Sequence, residues 1–176
     1  VSGGTTEAVL VHPEENRRFS VRLVASSLDL KAGQAIDRVG GLLGLPFPAG
    51  PALERLALAS DASFWIHPSM KGADCSLSGI QNQCEALVKK GTAKEDVALY
   101  CLLSVWAALD AMTAALLEQY GDLPVLFAGG VMSNSILKSR LSERYGAFFA
   151  DPAFSADNAA GVAVLAALSE GGEPMC

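Results

Sequence analysis

Alternating apolar and polar positions near the start of the chain predict a β-hairpin. Residues 7–15 (EAVLVHPEE) and residues 17–29 (RRFSVRLVASSLD) both carry the β-branched, alternating side chains that suit strands. Between them, residues 13–16 combine proline, two glutamates and asparagine, a composition typical of a turn. The two segments are therefore expected to pair.

The periodicity then changes to that of α-helices. In residues 31–45 (KAGQAIDRVGGLLGL) apolar side chains recur on one side of a helix, and Pro51 suits the first position of a second helix. Residues 61–82 are rich in turn-forming side chains, so we expect a loop-rich excursion there. The long helices that follow are predicted over residues 83–90 and 93–119.

The last third of the chain alternates short strands with helices. Residues 123–131 (LPVLFAGGV) and 147–150 (AFFA) are typical of short buried strands. The helix between them is expected to begin with Ser133 or Asn134 as its N-cap. The final apolar helix is predicted over residues 155–170, and its candidate N-caps are Ser155, Asp157 and Asn158.

A hairpin followed by this alternation predicts an α/β fold in which helices flank a mixed sheet. The chain has 176 residues, a length that favours a single domain or one large lobe. Hydrophobic residues make up 51% of it and charged residues 18%, with a mean hydropathy of +0.31. No uninterrupted apolar run reaches the length of a membrane span, and no signal peptide is recognisable. We therefore expect no membrane association, and we expect the surplus apolar surface to drive self-association.

Net charge and cysteine content indicate which partners and which cellular compartment to expect. The net charge of −6 argues against autonomous nucleic-acid binding, because such binding needs a basic face. The four cysteines form no CxxC pair and no dense framework, which favours reduced thiols and a cytoplasmic location.

Three segments of the same kind suggest where chemistry occurs. Residues 2–6 (SGGTT) precede a strand, residues 127–134 (FAGGVMSN) link a strand to a helix, and residues 154–160 (FSADNAA) open the last helix. Glycine pairs allow close backbone approach, and helix N-termini offer unpaired amides with partial positive charge. Loops at strand ends converge in α/β sheets, so these three together predict a phosphate clamp for a nucleotide.

Single carboxylates near these loops have two interpretations each. Asp37 and Glu54 are either solvated surface groups or acceptors for ribose hydroxyls. Asp157 is either an N-cap or a metal ligand. His12 and His67 are the only histidines, so no HExxH or HxxxH pair exists and a complete zinc-protease site is not expected. Serine hydrolase chemistry is also not expected, because the SLSG segment lacks a GxSxG context.

Five motifs in one order resemble a known family. They are VSGGTT, the segment LDLKAGQAIDRVGGLLGLPFPAGPALERLA, DCSLSGIQN, FAGGVMSNSILKSRL and FSADNAAGVAVLA. Together they are similar to the TsaD/Gcp family, the tRNA threonylcarbamoyladenosine transferases, long named O-sialoglycoprotein endopeptidases or glycoproteases. The match runs through nearly the whole chain.

The resemblance implies the second, C-terminal lobe of a two-lobed actin-like ATPase (ASKHA) fold, a ribonuclease-H-like lobe formed by residues 1–176. It implies transfer of a threonylcarbamoyl group from an adenylate to a tRNA adenosine, with ATP or an adenylate-type nucleotide bound in the cleft. Asp157 would supply one ligand to a divalent iron or zinc ion, whose HxxxH ligands belong to the first lobe of a full-length homologue. The residues implied to hold nucleotide or substrate are Ser2, Gly3, Gly4, Thr5, Asp37, Gly50, Glu54, Gly129, Gly130 and Asn134.

The resemblance also implies partners: a paralogous actin-like subunit, a small ATPase, and tRNA through the full-length protein or a complex. The chain departs from the family's pattern at Thr5, Gln34, Arg38, Leu77 and Ala156. These departures leave an alternative, a diverged non-catalytic actin-like paralogue that serves as a nucleotide-binding or assembly subunit. A glycoprotease-type metallopeptidase is a third interpretation, disfavoured because one carboxylate cannot hold a hydrolytic metal.

Overall fold

The computed structural model describes residues 1–15, 19–155 and 159–169. Its N-terminal part is the predicted antiparallel hairpin, in which strand β1 (Glu7–Pro13) pairs with strand β2 (Phe19–Ser26). The register changes between Ala8 and Val9, where a bulge interrupts the pairing. The hairpin prediction is thus confirmed.

Four helices follow in the order that the periodicity predicts. Helix α1 (Ala32–Leu42) turns its apolar face inward, and α2 (Gly50–Ala57) carries Pro51 in its first turn. Acidic side chains Glu95 and Asp96 lie in the first turn of α4, where they complement the positive end of the helix dipole. The remaining bounds are α3 (Gly79–Lys89) and α4 (Lys94–Tyr120).

Helix α4 forms the centre of the core. It contacts α1, α2 and α3, and its buried residues lie all round the helix over much of its length. Its 27 residues are long and apolar enough to cross a membrane, yet 72% of its most apolar window is buried within the fold. Burial of that kind characterises the central helix of a packed core.

The predicted excursion contains regular structure. Strands β3 (Ser69–Lys71) and β4 (Asp74–Ser76) pair antiparallel within it, and α3 already begins at Gly79. A three-residue strand has no room for a periodic pattern, which is why the sequence predicts only turns here. An isolated parallel bridge between Ser27 and Cys75 connects this small hairpin to the end of β2.

The C-terminal part alternates strand and helix as predicted. Strand β5 (Leu126–Phe127) pairs in parallel with β6 (Phe148–Phe149), and α5 (Ser135–Tyr145) connects them. Over the predicted final helix and just before it, the described residues form α6 (Pro152–Ser155) and α7 (Ala159–Ser169). Ser155 is itself helical, within α6, and is therefore not an N-cap, whereas Asp157 and Asn158 lie outside the described residues.

The expectation of one mixed sheet is wrong for the described residues. Their strands form three separate two-stranded sheets, β1–β2, β3–β4 and β5–β6. An apolar cavity of about 290 Å³ lies between β1 and β5, lined by side chains such as Leu10, Leu116 and Leu126. This gap separates the antiparallel pair from the parallel pair.

Cysteines Cys75, Cys84 and Cys101 are buried free thiols, as predicted. Burial raises the pKa of the Cys75 thiol. The hydrogen bond with Cys84, together with complete burial, raises the pKa of the Cys101 thiol well above its ordinary value. These thiols therefore pack as small apolar side chains of the core.

Candidate functional site

The N-terminal glycine loop is organised by Ser2. Its Oγ accepts hydrogen bonds from the amides of Gly4 (3.2 Å) and Thr5 (3.1 Å) and lies 3.0 Å from Thr5 Oγ1. The Ser2 amide donates to the Thr5 carbonyl at 2.7 Å. Three of the loop's amides are therefore engaged, and the Gly3 amide remains without a partner among the described residues. The loop can offer an anion the Gly3 amide and the Thr5 hydroxyl, rather than the full set of amides that the sequence suggests.

This loop lies against the start of helix α1. The Gly33 amide donates to the Ser2 carbonyl at 3.2 Å, and a Cβ at position 33 would lie 2.6 Å from the Gly3 Cα. The buried Thr6 accepts a hydrogen bond from the Ala32 amide at 2.8 Å through its Oγ1 and so caps the helix. The positive end of the α1 dipole consequently lies beside the glycine loop.

The second glycine loop meets the first. Gly129 has φ 104°, a conformation that favours glycine, and a Cβ there would collide with the backbone of Val1. The Val131 amide donates to the Val1 carbonyl at 3.3 Å. Beyond Gly130, a single 3-10 turn (Gly130–Ser133) leads directly into α5. The two loops thus lie side by side, as the sequence predicts.

Asn134 is the N-cap of α5. Its Oδ1 accepts from the Leu137 amide at 3.1 Å, which selects Asn134 over Ser133 as the cap. The side chain is buried, and its Nδ2 donates to no acceptor among the described residues. Capping fixes the amide group and leaves this N–H pair available for a ligand.

Asp37 and Glu54 each hold the start of another helix. Asp37 Oδ1 accepts from the Ala49 amide at 2.8 Å, just before α2 and its half-buried first residue Gly50. Glu54 Oε1 accepts from the Ser135 amide at 2.7 Å and from the Ser135 hydroxyl, at the start of α5. In each carboxylate the second oxygen has no partner among the described residues. Neither of the two interpretations from the sequence, solvated group or ribose acceptor, anticipates this positioning role.

These contacts connect the predicted residues into one region. The N-terminal loop bonds to α1, α1 to the start of α2, α2 to the start of α5, and the loop before α5 returns to Val1. Asp157 lies outside the described residues, so its position is not part of this region. The connected residues are Ser2, Gly3, Gly4, Thr5, Asp37, Gly50, Glu54, Gly129, Gly130 and Asn134.

A metal ion finds no ligand set in the described part of the chain. Residues 1–15, 19–155 and 159–169 contain no group of three His, Cys, Asp or Glu side chains that could hold one. His67 Nε2 accepts a hydrogen bond from Trp65 Nε1 at 2.7 Å, and His12 is exposed on β1. Asp157, the ligand that the resemblance implies for this chain, lies outside the described residues, so no chemical step is derived through an iron or zinc ion.

Asp29 is a positioning residue that sequence reasoning missed. It accepts hydrogen bonds from the Leu77 amide (2.7 Å) and the Ser78 hydroxyl (2.6 Å), and so joins the SLSG segment to the approach of α1. Burial opposes its charge, but the bonds from Ser78, Leu77 and Leu30 outweigh burial and lower the pKa of Asp29. The only signal of this role in the sequence is a single Asp just before a predicted helix.

The departures from the family's pattern are accommodated locally. Gln34 Oε1 accepts from the Lys31 amide at 3.2 Å, a helix-start bond that a glutamate could also make. Arg38 donates to Gln81 Oε1 at 3.4 Å, and Leu77 is buried in the core. Thr5 takes part in the glycine loop, and Ala156 lies outside the described residues.

Comparison with known proteins gives a consistent result. The family model described as TsaD, tRNA N6-adenosine threonylcarbamoyltransferase, matches residues 1–164. The protein of that name from Pelodictyon phaeoclathratiforme is 33% identical, over 96% of the chain and 53% of the relative. Its counterpart from Halalkalibacterium halodurans is 35% identical, over 86% and 45%.

A further relative carries a different name. The "probable bifunctional tRNA threonylcarbamoyladenosine biosynthesis protein" of Thermoplasma volcanium is 35% identical, over 81% of the chain and 26% of the relative. The chain thus spans about half the length of the first two relatives and about a quarter of this one.

Proposed function

The chain belongs to the TsaD family, and from that premise we propose that it is the nucleotide-binding lobe of a tRNA N6-adenosine threonylcarbamoyltransferase. The observation that carries the proposal is the meeting of two glycine loops beside the starts of α1 and α5. We further propose that the lobe is the ribonuclease-H-like C-terminal lobe of an actin-like fold.

The proposed ligand is ATP or an adenylate. Its phosphate would lie against the Gly3 amide and the Thr5 hydroxyl, near the positive end of the α1 dipole. The unpaired oxygens of Asp37 and Glu54 are suited to accept hydrogen bonds from ribose hydroxyls. The Asn134 Nδ2 group would donate to the nucleotide.

In the proposed transfer, the exocyclic amine of a tRNA adenosine attacks the carbamoyl carbon of the threonylcarbamoyl adenylate. The new C–N bond forms as the bond to the phosphate oxygen breaks, the amine loses a proton, and AMP departs. The contribution of this chain is to hold the adenylate and to stabilise the negative charge that develops on the departing phosphate. Donors fixed by the fold supply that stabilisation without reorganising during the reaction.

The whole protein would work with other components. We propose a cytoplasmic protein that binds an iron or zinc ion between its two lobes and acts with a paralogous actin-like subunit, a small ATPase and tRNA. The bifunctional name of the Thermoplasma relative supports a system in which several activities are combined. In this chain, the three buried free thiols are compatible with a reducing compartment.

A calorimetric titration of ATP into the chain tests nucleotide binding. We expect weak binding, since the lobe forms only part of the cleft, and a sub-micromolar Kd would contradict a half-formed site. Asp37→Asn keeps an oxygen for the Ala49 amide but removes the charge. It should weaken binding about tenfold, the effect of losing one hydrogen bond to a charged group.

The matched control is Asp61→Asn, which removes the same charge from an exposed carboxylate without a hydrogen bond among the described residues. Equal Kd values of the two variants for ATP would show that Asp37 takes no part in nucleotide binding. Absence of any ATP binding by the unmodified chain would contradict the nucleotide-binding proposal for this lobe.

One observation favours the diverged, non-catalytic paralogue as a second candidate. Gln34 stands where the family has Glu. Its amide oxygen accepts a hydrogen bond from the Lys31 amide at the start of α1, so this contact is kept without the negative charge of a glutamate. A tRNA-transfer assay on the full-length protein, carried out with Gln34 and with Gln34→Glu, distinguishes the candidates. A transferase should already act on tRNA before the change, whereas a binding subunit should bind nucleotide without transferring the group in either form.

A further inference from the structure

A second cavity, of about 580 Å³, lies between α4, α5 and the segment 62–68. None of the residues assigned above to nucleotide binding lines it. Its walls combine aromatic and cationic side chains, which is unusual for a gap left by imperfect packing. The side chains that the following argument uses are Phe64, Trp65, Trp106, Asp110, Arg140 and Arg144.

The aromatic wall is held open to solvent. Trp65 is 87% exposed, and its indole N–H donates to His67, whose ring meets the indole nearly edge-on at 74°. Phe64 packs edge-on against Tyr100, with ring centroids 5.2 Å apart. These contacts fix the position of Trp65 while leaving its ring uncovered. An exposed indole held in this way is suited to stack on a planar group.

The opposite wall carries donors without acceptors. Trp106 Nε1 is buried and has no hydrogen-bond partner among the described residues. The Arg140 guanidinium lies over the Trp106 ring, 5.2 Å from its centre, and forms no hydrogen bond or ion pair in the described part of the chain. Arg144, by contrast, is paired with Asp110 at 3.0 Å. Arg140 is therefore the cation available to a ligand.

Helix α5 connects this cavity to the nucleotide region. It begins beside Glu54, and Arg140 follows Asn134 by six residues, about 9 Å along the helix axis. One or two unpaired nucleotides can span such a distance. A chain molecule bound at the start of α5 can therefore reach the cavity.

We propose that this cavity binds an unpaired nucleotide of the tRNA substrate, with its base stacked on Trp65 and its phosphate on Arg140. The inference rests on the proposed function, because the family's names specify tRNA. Single-stranded RNA combines the planar face and the anionic group that these walls suit, and aromatic stacking with arginine is its usual mode of recognition. Base and phosphate oxygens also supply the acceptor that the Trp106 indole lacks.

Because the net charge of −6 weakens RNA binding by the chain alone, binding is tested from low salt upward with a fluorescently labelled single-stranded RNA hexamer, using its anisotropy for Kd. Arg140→Gln and Trp65→Ala should each weaken binding by about fivefold or more, the loss expected for a phosphate contact or a stacked base. Arg140→Gln should also reduce the slope of log Kd against log salt by about 0.7, since one phosphate contact is lost. Trp65 and Trp106 are the chain's only tryptophans, so quenching of intrinsic fluorescence by unlabelled RNA locates the contact.

Lys138→Gln is the matched control, because Lys138 lies on the same helix but over the Phe149 ring, away from the cavity. Its Kd should stay within about twofold of the unmodified chain. Equal losses for the two α5 variants, or RNA binding without tryptophan quenching, would overturn the proposal. So would quenching by an acidic peptide with none by RNA.

Two outcomes separate this inference from the proposed function. ATP binding without RNA binding would overturn the cavity assignment and leave the nucleotide site intact. RNA binding that depends on Trp65 and Arg140, without ATP binding, would support the cavity and contradict the nucleotide-binding lobe.

Discussion

Helix α4 and the β1–β2 hairpin use similar apolar side chains in opposite ways. Leu102 of α4 is completely buried, whereas Leu23 of β2 is 57% exposed. The helix packs against four others, α1, α2, α3 and α5, whereas each strand of the hairpin pairs only with the other among the described residues. High apolar content therefore describes two different surfaces in this chain, a packed core and a strand face that nothing among the described residues covers.

The uncovered surface extends beyond the hairpin. Strands β5 and β6 and helix α7 also expose large apolar side chains, such as Leu126, Phe148 and Val162. The relatives named threonylcarbamoyltransferases are about twice as long as this chain, and we propose that their remaining residues cover these faces. The core, by comparison, is complete without them.

The largest expected effect is a direct test of this contrast. Leu102→Ala should lower the free energy of unfolding by about 2–5 kcal/mol, because it removes buried methyl groups and leaves a cavity. Leu23→Ala deletes the same atoms from an exposed site and should cost less than about 1 kcal/mol. Urea denaturation followed by circular dichroism measures both. Similar losses would mean that the hairpin face is as well packed as the core.

A second pair compares two glycines of the same helix. Gly33→Ala should destabilise the chain by about 1–3 kcal/mol, because its Cβ would overlap the backbone of Gly3 and Ser2. It should also weaken ATP binding, since it displaces the N-terminal loop. Gly41→Ala meets no atom within 4 Å and should stabilise by up to about 1 kcal/mol through helix propensity. A lower melting temperature for Gly33→Ala and a higher one for Gly41→Ala would support the close approach of Gly33 to Gly3. Shifts in the same direction would contradict it.

The sequence predicted best what depends on neighbouring residues. Helix periodicity located α1, α2 and α4, and short-range chemistry gave the hairpin and narrowed the cap of α5 to Ser133 or Asn134. These features depend on side chains a few residues apart, so their signal lies within a short window. The meeting of the two glycine loops was predicted from a general rule about strand ends.

The sequence could not predict bonds between distant segments. Asp29 binds residues 77 and 78, and Glu54 binds Ser135, and no local pattern marks either pair. The inward hydrogen bonds of Ser2 also depend on a loop conformation that composition does not specify. The separation of the sheets is a tertiary property for the same reason, since the segments of β1, β2, β5 and β6 were predicted and only β3 and β4 were missed.

The hydrogen bonds that Asp29 accepts make the stability of the folded chain depend on pH. Its pKa is lower in the folded state than its ordinary value of 3.8, so its contribution to stability is complete above that value. The contribution is lost as the pH falls through the folded-state pKa. Asp29→Asn should therefore lower the urea midpoint at neutral pH, and the difference from the unmodified chain should shrink below pH 3.8. For Asp61→Asn, at an exposed carboxylate, the difference in urea midpoint from the unmodified chain should not change with pH.

The smallest expected effect concerns association through the strand face. Val11 and Val21 lie directly opposite each other on β1 and β2 and are 50% and 61% exposed, so they form an apolar pair that a second copy could cover. Light scattering should show an average mass that rises with concentration, and Val21→Lys should reduce that rise by placing a charge in the contact. Ser139→Lys adds the same charge on α5 and should leave the rise unchanged. A constant monomer mass for the unmodified chain would show that exposed strands alone do not cause association. The hairpin face would then be exposed to solvent without forming a contact between copies.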